Sequence, residues 1–189
     1  SVVTLHIPQT LQEFFQPTSP WNPQFFAYGS FPFYLLRIAG DIAGIFDSRY
    51  SSYDGIQLVG RFLSAFFDLG TIVMLFLLVK RLKNATTGLI ASLLYALSTL
   101  PIQLSHFYAV DTPLTFFTTS LLYLLLCFYE KPTIKKSLLI GILFAFAMAT
   151  KVSASVMLGA IGLTLTLDFL LIFLKRPHNP AHWFPHFPL

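Results

Sequence analysis

ATTGLIASLLYALSTLPIQL at residues 85–104, SHFYAV at 105–110 and DTPLTFFTTSLLYLLLCFY at 111–129 together decide the fold of this chain. A polar, titratable interruption separates two apolar segments that are each long enough to cross a bilayer. As a helix, the third piece is about 28 Å long, which matches the thickness of the hydrocarbon layer. The pattern predicts two membrane-crossing helices, the first ending at Pro101, joined by a short polar loop at one membrane face.

The composition excludes an ordinary soluble domain. Of 189 residues, 55% are hydrophobic and only 11% are charged, whereas a soluble domain carries about a quarter charged residues. The net charge of +4 comes from short basic clusters between apolar runs, a placement typical of membrane orientation and not of nucleic-acid binding. The single cysteine, Cys127, lies within an apolar run, so the sequence offers no disulfide framework.

Five apolar stretches predict five crossings. They cover residues 58–79, 85–104, 111–129, 137–150 and 152–174. Before them, residues 31–46 carry Arg37 and Asp41 four positions apart, which suits a helix lying at the membrane interface. Closely spaced prolines in residues 1–30 predict an irregular outer loop with one short helix near residues 10–15.

These elements predict an all-α integral membrane protein with about five transmembrane helices. We expect an extracytoplasmic loop with an interfacial helix over residues 1–57 and a five-helix transmembrane module over 58–174. Residues 175–189 are expected to form an irregular tail on the cytoplasmic side.

Positive charge gathers on one side of the predicted topology. When the sides are numbered alternately, one side receives eight of the twelve basic residues: Lys80, Arg81, Lys83, Lys131, Lys135, Lys136, Lys175 and Arg176. By the positive-inside rule this side is cytoplasmic. We therefore expect the chain to start outside, to cross five times and to end inside.

Titratable residues within the spans need a physical reason, because an Asp or Arg near the bilayer centre costs about 2.5–3.5 kcal/mol. Arg61 lies within one turn of the outer end, where its side chain either snorkels to the interface or serves a site. Asp68 lies deeper, and we expect it to form a hydrogen bond to another helix. Asp168 lies near the inner end of the last span and is expected to pair or to snorkel.

Three titratable residues converge by topology on the predicted outer face. Asp111, followed by Thr112 and Pro113, is a strong helix start in which the aspartate is either an N-cap or part of a site. Lys151 is either an interfacial anchor or a site residue. His106 is either a hydrogen-bonded surface histidine or part of the site, and no second ligand accompanies it at metal-binding spacing. An acidic and a basic group on one face would suit a phosphate-bearing lipid.

Four further segments are informative together: NPQFFAYGSFP at residues 22–32, GRFLSAFFD at 60–68, SHFYAVDT at 105–112 and ATKVSA at 149–154. In this order they resemble polytopic glycosyltransferases of the GT-C superfamily, nearest to bacterial proteins similar to dolichyl-phosphate-mannose protein mannosyltransferases. Each segment is short, but the four occur in the family's order and on the predicted outer side. Together they extend over most of the chain.

The resemblance implies a membrane enzyme that takes a sugar from a polyprenyl-phosphate carrier and passes it to an acceptor at the extracytoplasmic face. By that resemblance, Asp111 stands at the family's second acidic position as a supporting catalytic residue, and Lys151 faces the carrier phosphate. His106 and Tyr108 would shape the cavity, with Arg61 as a further substrate-binding residue. The resemblance also implies a bacterial plasma membrane. Expected partners are the bilayer, the lipid-linked donor and other membrane subunits, without nucleic acid, metal or another cofactor.

One departure from the family keeps a rival open. In the family an Asp-Glu pair in the first outer loop supplies the base, whereas Glu13 is the only acid before Asp41 here. The main base is therefore expected upstream of Ser1, and the chain is expected to be a fragment that is inactive alone. The missing pair favours a non-catalytic membrane subunit, truncated or repurposed, that packs in a larger complex. Asp111 and Lys151 favour the enzyme. A transporter is disfavoured because the spans lack paired Gly/Pro breaks.

Overall fold

A computed structural model describes residues 28–175, and between these limits every regular element is a helix. The α-helices are α1 (Phe31–Gly44), α2 (Ile56–Leu82), α3 (Ala85–Ala96), α4 (Thr99–Ser105), α5 (Asp111–Glu130), α6 (Ile134–Thr150) and α7 (Met157–Lys175), with 3-10 turns at Ser48–Ser51 and Val152–Val156. The all-α prediction is thus confirmed. The helix predicted at residues 10–15, the tail from residue 176 and the side chain of Asp168 lie outside the described part.

Side-chain caps set the start of two central helices. The Asn84 side chain accepts a hydrogen bond from the Thr87 amide at 2.9 Å and begins α3. The Thr133 hydroxyl accepts one from the Lys136 amide at 3.4 Å and begins α6. In each case a polar side chain satisfies an amide that has no partner within the helix.

Within residues 28–175, two helices are long and apolar enough to cross a membrane, and they correspond to predicted crossings. These are α2, with 27 residues, and α5, with 20 residues. The bent pair α3–α4 becomes a third candidate if it is one broken span. Helix α6 has 17 residues. The 3-10 turn at Val152–Val156 continues into α7, and together they give a further short apolar helical stretch, Val152–Leu167. The chain is an integral membrane protein of helices, and a count of five crossings stays a prediction.

The prediction of one continuous helix over residues 85–104 is wrong. The chain bends by 58° between Ala85–Ala96 and Thr99–Ser105. Pro101 has no amide hydrogen to donate to the Leu97 carbonyl, so the first helix cannot continue through it. Instead, Pro101 lies in the first turn of α4, where a missing amide hydrogen costs nothing. The proline therefore breaks the span in its interior and does not close it.

The contacts at the two ends of α2 fix the direction of its neighbours. Ser64, near the start of α2, contacts Thr112 at the start of α5, and Arg81, near the end of α2, binds Glu130 at the end of α5. Helices α2 and α5 are thus parallel. Helix α6 runs back along α5, because Lys136 at its start donates to the Cys127 carbonyl near the end of α5.

A cluster of phenylalanine rings forms the core between α1, α2, α5 and α6. Phe117 of α5 lies at its centre, 5.8 Å from Phe31, 5.7 Å from Phe67 and 5.5 Å from Phe146 between ring centroids. Edge-on and offset contacts of this kind add about 0.5–1.5 kcal/mol per pair beyond the buried area. The cluster holds four helices together directly beneath the polar groups described next.

Candidate functional site

The centre of the candidate site is an ion pair between two helix ends. Lys151, the residue after α6, donates from Nζ to Oδ1 of Asp111, the first residue of α5, at 2.9 Å. The residue at the cap position of α5 is Val110, without a side-chain hydrogen bond. The N-cap alternative for Asp111 is therefore wrong. A charge-assisted bond to an ammonium is stronger than one to a neutral amide, and the carboxylate is committed to Lys151.

The segment before α1 packs directly on the end of α6. The Gly29 amide donates to the Thr150 carbonyl at 3.0 Å. A Cβ atom at Gly29 would lie 1.8 Å from the Ala149 carbonyl oxygen, so only glycine fits here without displacement. The same approach brings the ring of Tyr28 to 5.5 Å from the Lys151 Nζ, within cation–π range. The lysine thus has a carboxylate and an aromatic ring as neighbours.

The loop after the broken span is anchored by Tyr108. Its hydroxyl donates to the Pro32 carbonyl at 2.6 Å, which ties this loop to α1. A Cβ atom at Gly60 would lie 2.8 Å from the Tyr108 Cβ, so α2 approaches the loop closely at that glycine. Burial raises the pKa of the Tyr108 phenol well above its usual range. The hydroxyl therefore remains a donor at all ordinary pH values.

Two buried hydroxyl groups join the same loop to α2 and α5. Ser64, with 0% of its surface exposed, donates to the Phe107 carbonyl at 2.9 Å. Thr112, 2% exposed, lies 3.3 Å from Ser64 between the two hydroxyl oxygens. Because a buried polar atom left without a partner is costly, these bonds fix the loop against both helices.

The described parts of the four segments quoted from the sequence therefore meet in space. Residues 28–32, 60–68, 105–112 and 149–154 form what we call the motif end of the bundle, joined by the contacts just described. The opposite end, called the basic end, carries Lys80, Arg81, Lys83, Lys131, Lys135 and Lys136.

Not every predicted site residue joins the ion pair. The structure brings together Asp111 and Lys151, whereas Tyr108 binds the Pro32 carbonyl and anchors the loop. His106 is exposed, and its Nδ1 lies 2.6 Å from the Ile102 carbonyl oxygen of its own helix. Arg61 is exposed, and no contact found within residues 28–175 joins it to the pair.

The electrostatics of the pair keep Lys151 charged. The hydrogen bond from Asp111 raises the pKa of the Lys151 ammonium above its usual value. The two side chains remain 31% and 43% exposed, so a ligand can reach both. An ammonium has three donors, and here one is used by Asp111. The arrangement can hold an anion such as a phosphate next to a carboxylate.

We find no metal site in the described part of the chain. Within residues 28–175 there is no group of three or more His, Cys, Asp and Glu side chains that could hold a metal ion. Independence from metals stays a prediction.

Fold and site together define a helical integral membrane protein with a polar site at one end of its bundle. A model of the dolichyl-phosphate-mannose-protein mannosyltransferase family matches residues 54–184, more than two thirds of the chain. The chain belongs to this family. The matched range contains three of the four segments that meet at the motif end, and residues 22–32 precede it. No curated protein and no solved structure gives a significant match.

Several residues that build the motif end were not singled out in the sequence. Gly29, Ser64, Thr112 and Thr150 carry inter-segment contacts, but none is titratable and none is unusual in composition. The signal that could have identified them is their position inside the four quoted segments. Sequence reasoning had weighed charged residues and overlooked the small ones.

Proposed function

We propose that this chain is the central module of a membrane glycosyltransferase that moves a sugar from a polyprenyl-phosphate donor to an acceptor at the extracytoplasmic face. Family membership supports the class of enzyme. The observation that carries the site assignment is the bond between Lys151 and Asp111 at the point where the quoted segments meet. The proposal includes a bacterial plasma membrane, with the motif end outside and the basic end in the cytoplasm.

Lys151 is proposed to bind the carrier phosphate. In the transfer step a bond forms between the acceptor oxygen and the anomeric carbon, the bond from that carbon to the phosphate oxygen breaks, and the acceptor proton passes to a base. The leaving phosphate gains negative charge, which a nearby ammonium stabilises. Asp111 is proposed to hold the ammonium in place and not to be the base, since its carboxylate already accepts from Lys151.

His106, Tyr108 and Arg61 are proposed to contribute in different ways. The bond from Tyr108 to the Pro32 carbonyl supports a role in shaping the loop. The exposure of His106 and Arg61 leaves both able to meet a lipid-linked ligand. Neither is proposed to touch the reacting atoms.

A non-catalytic membrane subunit is the second candidate. The observation favouring it is that Asp111 and Lys151 satisfy one another, as the partners of a purely structural ion pair would. Such a subunit would need the pair only to hold α5 and α6 together within a larger complex.

The test is sugar transfer from a radiolabelled polyprenyl-phosphate donor by the full-length protein in membranes. Lys151→Ala is expected to lower transfer by at least about tenfold, since it removes one charge-assisted contact to the phosphate. Asp111→Asn is expected to lower it less. Arg81→Gln, which breaks the matched ion pair between α2 and α5 at the basic end, is the control and should leave transfer unchanged.

A charge swap separates the two candidates. Asp111→Lys combined with Lys151→Asp restores an ion pair, so a structural role predicts recovery of every property of the protein. Phosphate binding predicts recovery of stability without recovery of transfer, because the ammonium then lies on the wrong helix. Full recovery of transfer in the swapped protein would reject Lys151 as the phosphate ligand.

A further inference from the structure

The broken span creates a cavity beside a buried carboxylate. A cavity of about 280 Å³ lies between α2 and the bent pair α3–α4. It is far larger than the space of about 10–15 Å³ that one water needs. Its polar lining is Asp68, Tyr95 and Ser105, and its apolar lining includes Leu69 and Ile102.

Asp68 is the charged group of this cavity. Its residue surface is 9% exposed, and Oδ1 accepts a hydrogen bond from the Tyr95 hydroxyl at 3.0 Å. The hydrogen bond to another helix expected from the sequence is thus confirmed. The ion pairs found within residues 28–175 engage the acids Asp41, Asp47, Asp111 and Glu130 and not Asp68. Within residues 28–175 the carboxyl group of Asp68 therefore has a phenol hydroxyl as its partner and no cation, so it is open to a positively charged ligand.

The rim of the cavity faces outward from the bundle. Leu69 is 63% exposed and Ile102 is 42% exposed, and both lie on candidate membrane-crossing elements. Exposed apolar faces of such elements contact acyl chains. A ligand therefore reaches Asp68 through lipid, which favours a molecule with an apolar body.

We propose that this cavity binds the positively charged nitrogen of an amphiphilic amine, with Asp68 as its counter-ion. Tyr95 holds the carboxylate in position, and the apolar lining receives the hydrocarbon part of the ligand. A bare inorganic cation fits less well, because the mostly apolar lining offers few oxygen ligands. The inference goes beyond sugar transfer and does not depend on it, since neither Asp111 nor Lys151 lines the cavity.

The test measures thermal unfolding of the full chain in phosphatidylcholine nanodiscs near neutral pH. Octylamine is the probe, and octanol is the matched neutral control with the same hydrocarbon chain. Octylamine is expected to raise Tm saturably by roughly 2–4 °C, whereas octanol at equal concentration is not. Asp68→Asn should lower the affinity for octylamine at least about tenfold, because a charge-assisted bond is replaced by a neutral one.

A second variant decides the result if Asp68→Asn fails to fold. Leu69→Trp places a large ring at the exposed rim and leaves Asp68 and Tyr95 unchanged, so it should abolish the shift by octylamine while Tm without ligand stays close to wild type. Equal shifts from octylamine and octanol, or undiminished amine binding in either folded variant, would overturn the proposal. So would a rise in Tm with sodium or potassium chloride that needs Asp68 while octylamine has no effect. The absence of any shift by octylamine overturns it as well.

Discussion

The motif end and the basic end of the bundle each contain an ion pair that joins two helices, but they are built differently. At the basic end, Arg81 and Glu130 are exposed by 39% and 40%, and their pair joins α2 to α5 among further lysines. At the motif end, the pair of Asp111 and Lys151 is accompanied by buried hydroxyl groups and by glycines at which neighbouring segments approach too closely for a side chain. An exposed pair alone contributes little, about 0–1 kcal/mol. The difference shows that fit, and not charge, distinguishes the motif end.

The largest loss of stability is expected from placing a side chain at Gly29. Gly29→Ala places a Cβ atom where the Ala149 carbonyl oxygen lies, 1.8 Å away, so the segment must move and the bond to the Thr150 carbonyl is lost. We expect a loss of about 2–3 kcal/mol in the free energy of unfolding. Thermal unfolding in detergent measures it.

Gly141→Ala is the matched control for this change. A Cβ atom at Gly141, within α6, meets nothing within 4 Å. Alanine should therefore leave stability unchanged or raise it by up to about 1 kcal/mol. Equal changes in the free energy of unfolding for Gly29→Ala and Gly141→Ala would contradict close packing at the motif end.

A smaller effect is expected from Ser64→Ala. The change removes the bonds from α2 to the Phe107 carbonyl and to Thr112, although both keep a bond to the Ala109 backbone within the loop. We expect a loss of about 0.5–1.5 kcal/mol, together with faster proteolysis in the loop over residues 105–110. Limited proteolysis and thermal unfolding measure the two.

Thr71→Val provides the comparison within the same helix. The Thr71 hydroxyl is equally buried, but it donates to the Phe67 carbonyl one turn earlier in α2 and lies near the Tyr95 hydroxyl of α3, and no bond found within residues 28–175 joins it to the loop over residues 105–110. Its loss should cost less and should leave the loop resistant to protease. A protease-sensitive loop in Thr71→Val would argue against a specific role for Ser64.

The smallest change in stability is expected when high pH removes the charge of Lys151. The folded pKa of Lys151 is raised above its unfolded value by Asp111, so the stability from this pair is fully present below about pH 10.5. It is lost as pH rises through the folded pKa. The pair of Arg81 and Glu130 should not respond, because a guanidinium remains charged in this range.

Thermal unfolding between pH 8 and pH 11.5 tests this difference. Wild type and Arg81→Gln should lose stability in parallel above about pH 10.5, whereas Lys151→Gln should show a shallower decline. A decline that is unchanged in Lys151→Gln would mean that the lysine is not the titrating group.

The spans were predictable because they depend on composition and length. The apolar stretch at 111–129 gave α5 to within one residue at its end, and 58–79 gave α2 with two residues more at its start and three more at its end. The bend at Ala85–Ala96 and Thr99–Ser105 was missed. The interpretation of Pro101 as the end of a span is wrong, because a proline in the first turn of a new helix has the same local signature.

The site was only partly predictable. The sequence predicts Asp111 and Lys151 as site residues because both are titratable and lie on one predicted face, and the structure joins them across 40 positions of sequence. Gly29 and Ser64 did not, because their importance lies in what they contact. A glycine or serine has no charge or size that marks it before its neighbour is known.

The sequence by itself determined that this chain is helical and lies in a membrane, where its apolar segments begin and end, and which segments resemble one family. Each of these follows from local composition, length and order along the chain. Only the tertiary structure decided that Lys151 holds Asp111, that Gly29 lies against Thr150 and that the broken span leaves a cavity beside Asp68. The physical reason is that contacts across tens of residues depend on how helices pack and bend, which no local pattern encodes.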